Sequence, residues 1–249
     1  DLVRSRGLGD VYKRQDLRLP EVRQQQADLA RQYGIHGFCY YHYWFSGKQL
    51  LERPVAEILS SGQPDFPFCL CWANENWTRR WDGQDQEVLI AQHYSLADDE
   101  AHLRALLPYF HDPRYIRIHN KPLFLVYRAS RLPDPLATTA LWRQLAHQHG
   151  LDGLYLVKVE NFPTERNRHP EIDGFDAALD FQPDGTAAPK RERPPRRVRI
   201  LQKGGLCKQH PYLINNIFSY DEFVTAMLTR EQPTYPRFPG VFPSWDNSA

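Results

Sequence analysis

Long apolar runs are missing from this chain. No stretch approaches the length of a membrane-spanning helix, so nothing in it reads as a span. Also missing are G-x-G-x-x-G, a Walker loop, H-E-x-x-H, G-x-S-x-G and C-x-x-C. With them go the sequence arguments for a dinucleotide fold, a phosphate cradle, a zinc protease, a nucleophile elbow and a thiol redox motif. There is no Asp-x-Asp of the kind that holds a metal–nucleotide sugar, and no cofactor or metal motif takes its place. The net charge is only +1, with a pI near 7.9, so no global basicity argues for nucleic acid as a partner. The four cysteines, Cys39, Cys69, Cys71 and Cys207, show neither disulfide nor zinc spacing. Cys69 and Cys71 alternate along one apolar run and read as buried thiols on one face, which favours a reducing compartment and with it a cytoplasmic setting. No internal repeat is visible, and nothing sets the oligomeric state.

What is present is a globular composition rich in rings and prolines. Hydrophobic residues make up 41% and charged residues 24%, the balance of a chain that buries a core, and 20 prolines imply many fixed loops. The length suits one large domain or two small ones. Residues 1–15 are set apart from it. They lack apolar periodicity, and Asp10 to Gln15 back-translate as GATGTGTATAAGAGACAG, similar to the end of a transposon-based sequencing adapter. This segment is read as non-native, with the domain running from residue 16 to 249.

From Asp16 the chain alternates helix and strand. Helices are predicted over 17–33, 49–59, 96–110, 134–149 and 219–229, the last with Ser219 and Glu222 in capping-box spacing. Strands are predicted over 35–43, 66–71, 123–127, 154–159, 175–181 and 238–242. Repeated βα units with polar or aromatic residues after each strand point to an α/β barrel, although six strands fall short of eight. The basic run Lys190 to Arg199 reads as a proline-broken solvated loop, with contact to a phosphate or an acidic polymer as the alternative.

The candidate site residues follow the strands. FPFCLCWANENWTRRWDG, Phe66 to Gly83, breaks from an apolar run into Trp72, Asn74, Glu75, Asn76, Trp77 and Trp81. Ring faces for sugar C–H groups, with amides and a carboxylate for hydroxyls, suit a carbohydrate partner. The bland alternative is a Trp-rich plug. Tyr41, His42, Tyr43 and Trp44 end the preceding strand as a second aromatic cluster, either at the site or as a packed cap. Glu75 and Glu160 are the strand-end glutamates and the candidate catalytic pair, since glycoside hydrolysis needs two carboxylates. For Glu160 a salt bridge to Lys158, Arg166 or Arg168 is the alternative. Asp180 and Asp246 are lesser candidates of the same kind. Arg79 and Arg80 are expected to hold carboxylates, with contact to an anionic substrate as the alternative, and His119, Asn120 and Lys121 to be structural.

Five segments, YYHYWFSGKQLLERP, FPFCLCWANENWTRRWDG, KPLFLVYR, FDAALDFQP and YPRFPGVFPSWDNSA, resemble the WbsX family. Its members carry a domain similar to family 99 of the glycoside hydrolases and occur among bacterial genes for O-antigen and other surface polysaccharides. The resemblance implies a (β/α)8 TIM-type barrel, here without its first and last strands, and a glycan substrate. It adds Tyr127 and Trp245 to the expected sugar contacts, at the ends of KPLFLVY and PSW. Family 99 enzymes are retaining endo-α-mannosidases; a glycosyltransferase of lipopolysaccharide assembly and a non-catalytic carbohydrate-binding barrel are the alternatives. In the family a Trp-Asn-Glu-Trp-x-Glu segment that matches the catalytic glutamates follows PSWDN. Residues 16–249 do not contain it, so they are expected to be inactive alone and prone to aggregate through unpaired strand edges.

Overall fold

The computed structural model describes residues 16–79, 84–166, 168–185, 188–206 and 210–242. Its first helix, α1 (Pro20–Gln32), starts with proline in its first turn and buries Val22, Ala27 and Ala30. The strand β1 (Phe38–Phe45) turns back on itself through β2 (Lys48–Leu50), an antiparallel return that the sequence reading placed inside a helix. That helix, α2 (Arg53–Ser61), begins later because Pro54 belongs in a first turn, and Gly62 ends it at φ +69°.

The next strand, β3 (Phe68–Trp72), is buried along its whole length. After it comes an unanticipated ribbon of β4 (Trp77–Arg79) and β5 (Gln84–Ile90), antiparallel and separate from the main sheet. Helix α3 (Leu96–Phe110) is capped by Ser95 Oγ, which accepts from Asp98 N at 3.1 Å. A short hairpin joins β6 (Arg117–Ile118) to β7 (Lys121–Val126), with His119 and Asn120 both at positive φ in its turn. Helix α4 (Pro135–Gln148) has Asp134 as its cap, and β8 (Tyr155–Val159) and β9 (Ala177–Leu179) follow.

The basic run is only partly a loop. Its second half forms α5 (Arg196–Lys203), because Pro194 and Pro195 stand before the helix rather than inside it. Two further helices, α6 (Pro211–Ile214) and α7 (Tyr220–Thr229), lead to β10 (Arg237–Phe238).

Strands β1, β3, β7, β8, β9 and β10 lie side by side in chain order, every neighbouring pair parallel. This is a largely parallel α/β sheet, consistent with part of an α/β barrel. Among the described residues no ladder joins β10 to β1 or β2, so eightfold closure is not observed.

Register sorts the side chains into two faces. Phe68, Leu70 and Trp72 of β3 align with Phe38, Tyr40 and His42 of β1, and Leu70 and Trp72 with Phe124 and Val126 of β7. This face meets the helices: Trp72, His102 of α3, Phe124 and Trp142 of α4 pack ring against ring in the core. Cys39, Tyr41, Cys71 and Leu125 alternate onto the other face.

Candidate functional site

The C-terminal ends of β1, β3 and β7 meet the β4–β5 ribbon around a cleft of about 760 Å³. Asn74, Glu75, Asn76 and Trp77 line it from the chain that leaves β3, and Tyr43 from the end of β1. Residues that the sequence reading did not single out complete the wall: Thr78, Leu89, Gln92, Tyr94, Leu51 and Arg131. Most of these come from the ribbon and the segment after it. Its folding over the strand ends carries no local sequence signal beyond a β-prone Glu87–Ile90.

Asn74 is fully buried and serves the backbone. Its Oδ1 accepts from Arg128 N and its Nδ2 donates to Arg128 O, each at 2.8 Å, while Tyr94 Oη donates to Asn74 O at 2.7 Å. This stitches the ends of β3 and β7 together. Arg128, at the end of KPLFLVYR, then extends a guanidinium that donates to Glu75 at 2.5 Å and lies 3.8 Å from the Phe162 ring centre. On its other side Glu165, 2% exposed, sits 3.4 Å away and also accepts from Ser130 N. Glu75 is therefore fixed by a nearly buried cation while its side chain stays 28% exposed. Asn76 holds the ribbon, its Oδ1 accepting from Gln92 N at 2.7 Å.

A band of rings runs from the cleft along the face of the sheet that carries Tyr41 and Cys71. Trp77 lies edge-on to Tyr43 at 5.3 Å, Tyr43 is 6.4 Å from Tyr41, and Tyr41 is 5.9 Å from Tyr127. Tyr127 continues to Phe162 and Phe181. Tyr41 is nearly half exposed. Tyr127 Oη is hydrogen-bonded to Asn161, and burial pushes its phenol up to about 12, so it remains a neutral donor near neutral pH.

Three expected sugar contacts are placed elsewhere. Trp72 is fully buried on the helix face, its Nε1 donating to Trp44 O at 3.4 Å. Trp44 stacks on His102 and donates its Nε1 to Asp98 at 3.0 Å. His42 faces His102 with the two Nε2 atoms 3.0 Å apart, and burial depresses both rings, His42 to about 4. The physical reason is the two-residue period: His42, Trp44 and Trp72 alternate with Tyr41, Tyr43 and Cys71 and so point at the helices.

Glu160 and Asp180 lie at strand ends but are closed in by protein. Glu160 is 1% exposed; it accepts from Tyr235 Oη at 2.5 Å and lies 3.6 Å from Arg237. Its cation is thus not Lys158, Arg166 or Arg168, which turn to the Arg168 carbonyl, Asp184 and Asp173. Asp180 accepts from Arg230 at 2.6 Å and from Gln182. Burial alone would raise its carboxyl, and these bonds bring it below the usual range instead. Cys69 and Cys71 are buried, whereas Cys39, beside Cys69 in register, is exposed. Trp81, Trp245, Asp246, Arg80 and Cys207 lie outside the described residues, as does the side chain of Arg79. Among the described residues no group of three or more His, Cys, Asp or Glu is placed to hold a metal ion, and no helix is long and apolar enough to cross a membrane.

Known proteins resemble this chain over most of its length. Two curated relatives are the WxcX proteins of Xanthomonas campestris pv. campestris strains B100 and ATCC 33913, each 39% identical over 232 residues. That alignment covers 93% of this chain and 31% of theirs, so the chain spans about a third of the length of the curated relatives it matches. A solved structure described as a glycoside hydrolase-like protein superposes with a TM-score of 0.49 at 13% identity, over 90% of this chain and 63% of that one. The family described as Glycosyltransferase WbsX matches residues 11–249, and the chain belongs to that family.

Proposed function

We propose that this chain is the sugar-binding part of a carbohydrate-active α/β barrel whose substrate is a bacterial surface polysaccharide or O-antigen. The observation that carries this reading is the aromatic band Trp77–Tyr43–Tyr41–Tyr127, which leads into a cleft where Arg128 fixes Glu75. Tyr41 is exposed and Trp77, Tyr43 and Tyr127 are half-buried, which leaves ring surface to stack on sugar C–H groups, and Glu75, Asn76, Gln92 and Arg131 offer acceptors and donors for hydroxyls. In this reading the six parallel strands belong to an eight-stranded barrel, and the band is one wall of its sugar groove. Its chemistry is glycosidase-like: a carboxylate assists the reaction at the anomeric carbon and a second acts as general acid. Of the two strand-end glutamates, Glu75 is open to the cleft and is assigned a substrate contact. Glu160, closed in by Tyr235 and Arg237, is assigned a supporting role.

The test is calorimetric titration of α-linked oligomannosides and of delipidated O-antigen polysaccharide into the chain. Saturable binding that weakens about tenfold or more in Trp77→Ala and Tyr43→Ala supports the reading. Binding that both variants leave intact would overturn it. The family description favours a second reading, transfer from a nucleotide sugar. Saturable binding of a nucleoside-diphosphate sugar, with none of the oligosaccharides, would select it.

A further inference from the structure

We propose that α5 and the loop before it form a docking surface for an anionic phospholipid membrane, on which the domain rests without crossing the bilayer. Residues 190–203 hold seven basic side chains and one acidic, in a chain whose net charge is only +1, so the remainder is net negative. The cations are concentrated in one place. The acidic residue, Glu192, is engaged by Tyr212 Oη at 3.2 Å. Arg191 is tied down to the carbonyl oxygens of Tyr212 and Asn215, which fixes the loop to the body of the domain.

Helix α5 is anchored by one residue and presents the rest. Val198 is buried, while Arg196, Arg197, Arg199, Ile200, Leu201 and Lys203 are all exposed. At 100° per residue Ile200 stands opposite Val198, between Arg196 and Arg197, so the outward face has an aliphatic centre with cations around it. Ile200 is 60% exposed, and Leu206, just after the helix, is 81% exposed. Among the described residues no carboxylate lies against Arg196, Arg197, Arg199 or Lys203.

The mixture of side chains decides the partner. A polyanionic glycan or nucleic acid offers phosphates or carboxylates to the cations but gives bare aliphatics nothing to enter, and residues 190–206 have no ring on which a sugar or an unpaired base could stack. An anionic bilayer uses both kinds: the cations meet lipid phosphates, and the isoleucine and leucines enter the headgroup–acyl boundary.

Vesicle co-sedimentation of the chain tests this, with phosphatidylcholine alone and with phosphatidylcholine containing about a third phosphatidylglycerol. The expected result is binding to the anionic vesicles only, weakened about tenfold or more by raising salt from about 0.05 to 0.5 M. The triple variant R196E/R197E/R199E should lose it. Ile200→Asp should weaken it about tenfold while its far-ultraviolet spectrum and thermal melt match the parent, since that side chain supports no core. Failure to bind the anionic vesicles, equal binding by the triple variant, or binding to heparin without binding to vesicles would each overturn the proposal.

Discussion

Asn74 grips Arg128 by both halves of its peptide backbone, accepting from the N–H and donating to the carbonyl oxygen at the same 2.8 Å. One amide thereby sets the spacing of two strand ends and the position of the guanidinium that holds Glu75. Asn74→Ala removes both bonds and leaves buried backbone groups unpaired, at a cost of about 2–4 kcal/mol. Urea denaturation should show that loss, and glycan affinity should fall with it because Arg128 is no longer placed. A variant with unchanged midpoint would mean that the stitch contributes nothing.

Glu75→Gln separates charge from shape at the cleft. Glu165 and the Phe162 ring still accompany Arg128, and Glu75 is part-exposed, so the stability change should stay below about 2 kcal/mol. Arg128→Ala strips the cation from Glu165, 2% exposed, and should cost about 3–5 kcal/mol. The order of the two unfolding midpoints checks the assignment, and a reversed order would refute it.

Two tryptophans five residues apart should respond in opposite ways. Trp72→Ala empties a fully buried site among Tyr94, His102 and Trp142 and should cost about 3–5 kcal/mol. Trp77→Ala, at the cleft, should cost about 1 kcal/mol while removing most of the sugar affinity. Thermal melts paired with binding isotherms measure both.

The His42–His102 pair predicts acid sensitivity. Both rings are held neutral by burial, well below their ordinary value of 6.5, with His42 at about 4. Below pH 6.5 the unfolded chain takes up protons that the folded chain refuses, so stability falls as the pH drops from about 6.5 toward 4. Stability is full above pH 6.5, and below it the loss approaches about 1.4 kcal/mol per pH unit for each histidine that stays neutral in the folded chain. Urea midpoints at pH 7 and 5 should differ accordingly, and the H42L/H102L variant should flatten the difference.

Much of the sheet was legible in the sequence. Five of the six parallel strands lie on the predicted apolar runs, such as FCLC and LFLV, whereas β10 (Arg237–Phe238) shares only Phe238 with the predicted 238–242; α3 spans the predicted 96–110 because Ser95, Asp98 and Asp99 mark its start. The ribbon was not legible: Trp77–Arg79 and Gln84–Ile90 pair with each other across two irregularities, and no alternation of apolar residues announces it. Within the candidate site, cluster composition drew Trp72, Trp44 and His42 in with Trp77 and Tyr43. The alternation Phe68–Leu70–Trp72 held the information that sends Trp72 to the helices. Arg128 carried no signal of its own, because its role arises from contact with Asn74, 54 residues earlier.

The ribbon that walls the cleft is bonded to itself and, among the described residues, to no strand of the main sheet. Lengthening it, shortening it or changing Thr78 and Leu89 disturbs no ladder and little of the core. The wall of the cleft can therefore be reshaped through a single surface appendage, without touching the parallel strands or the buried pair of His42 on β1 and His102 on α3.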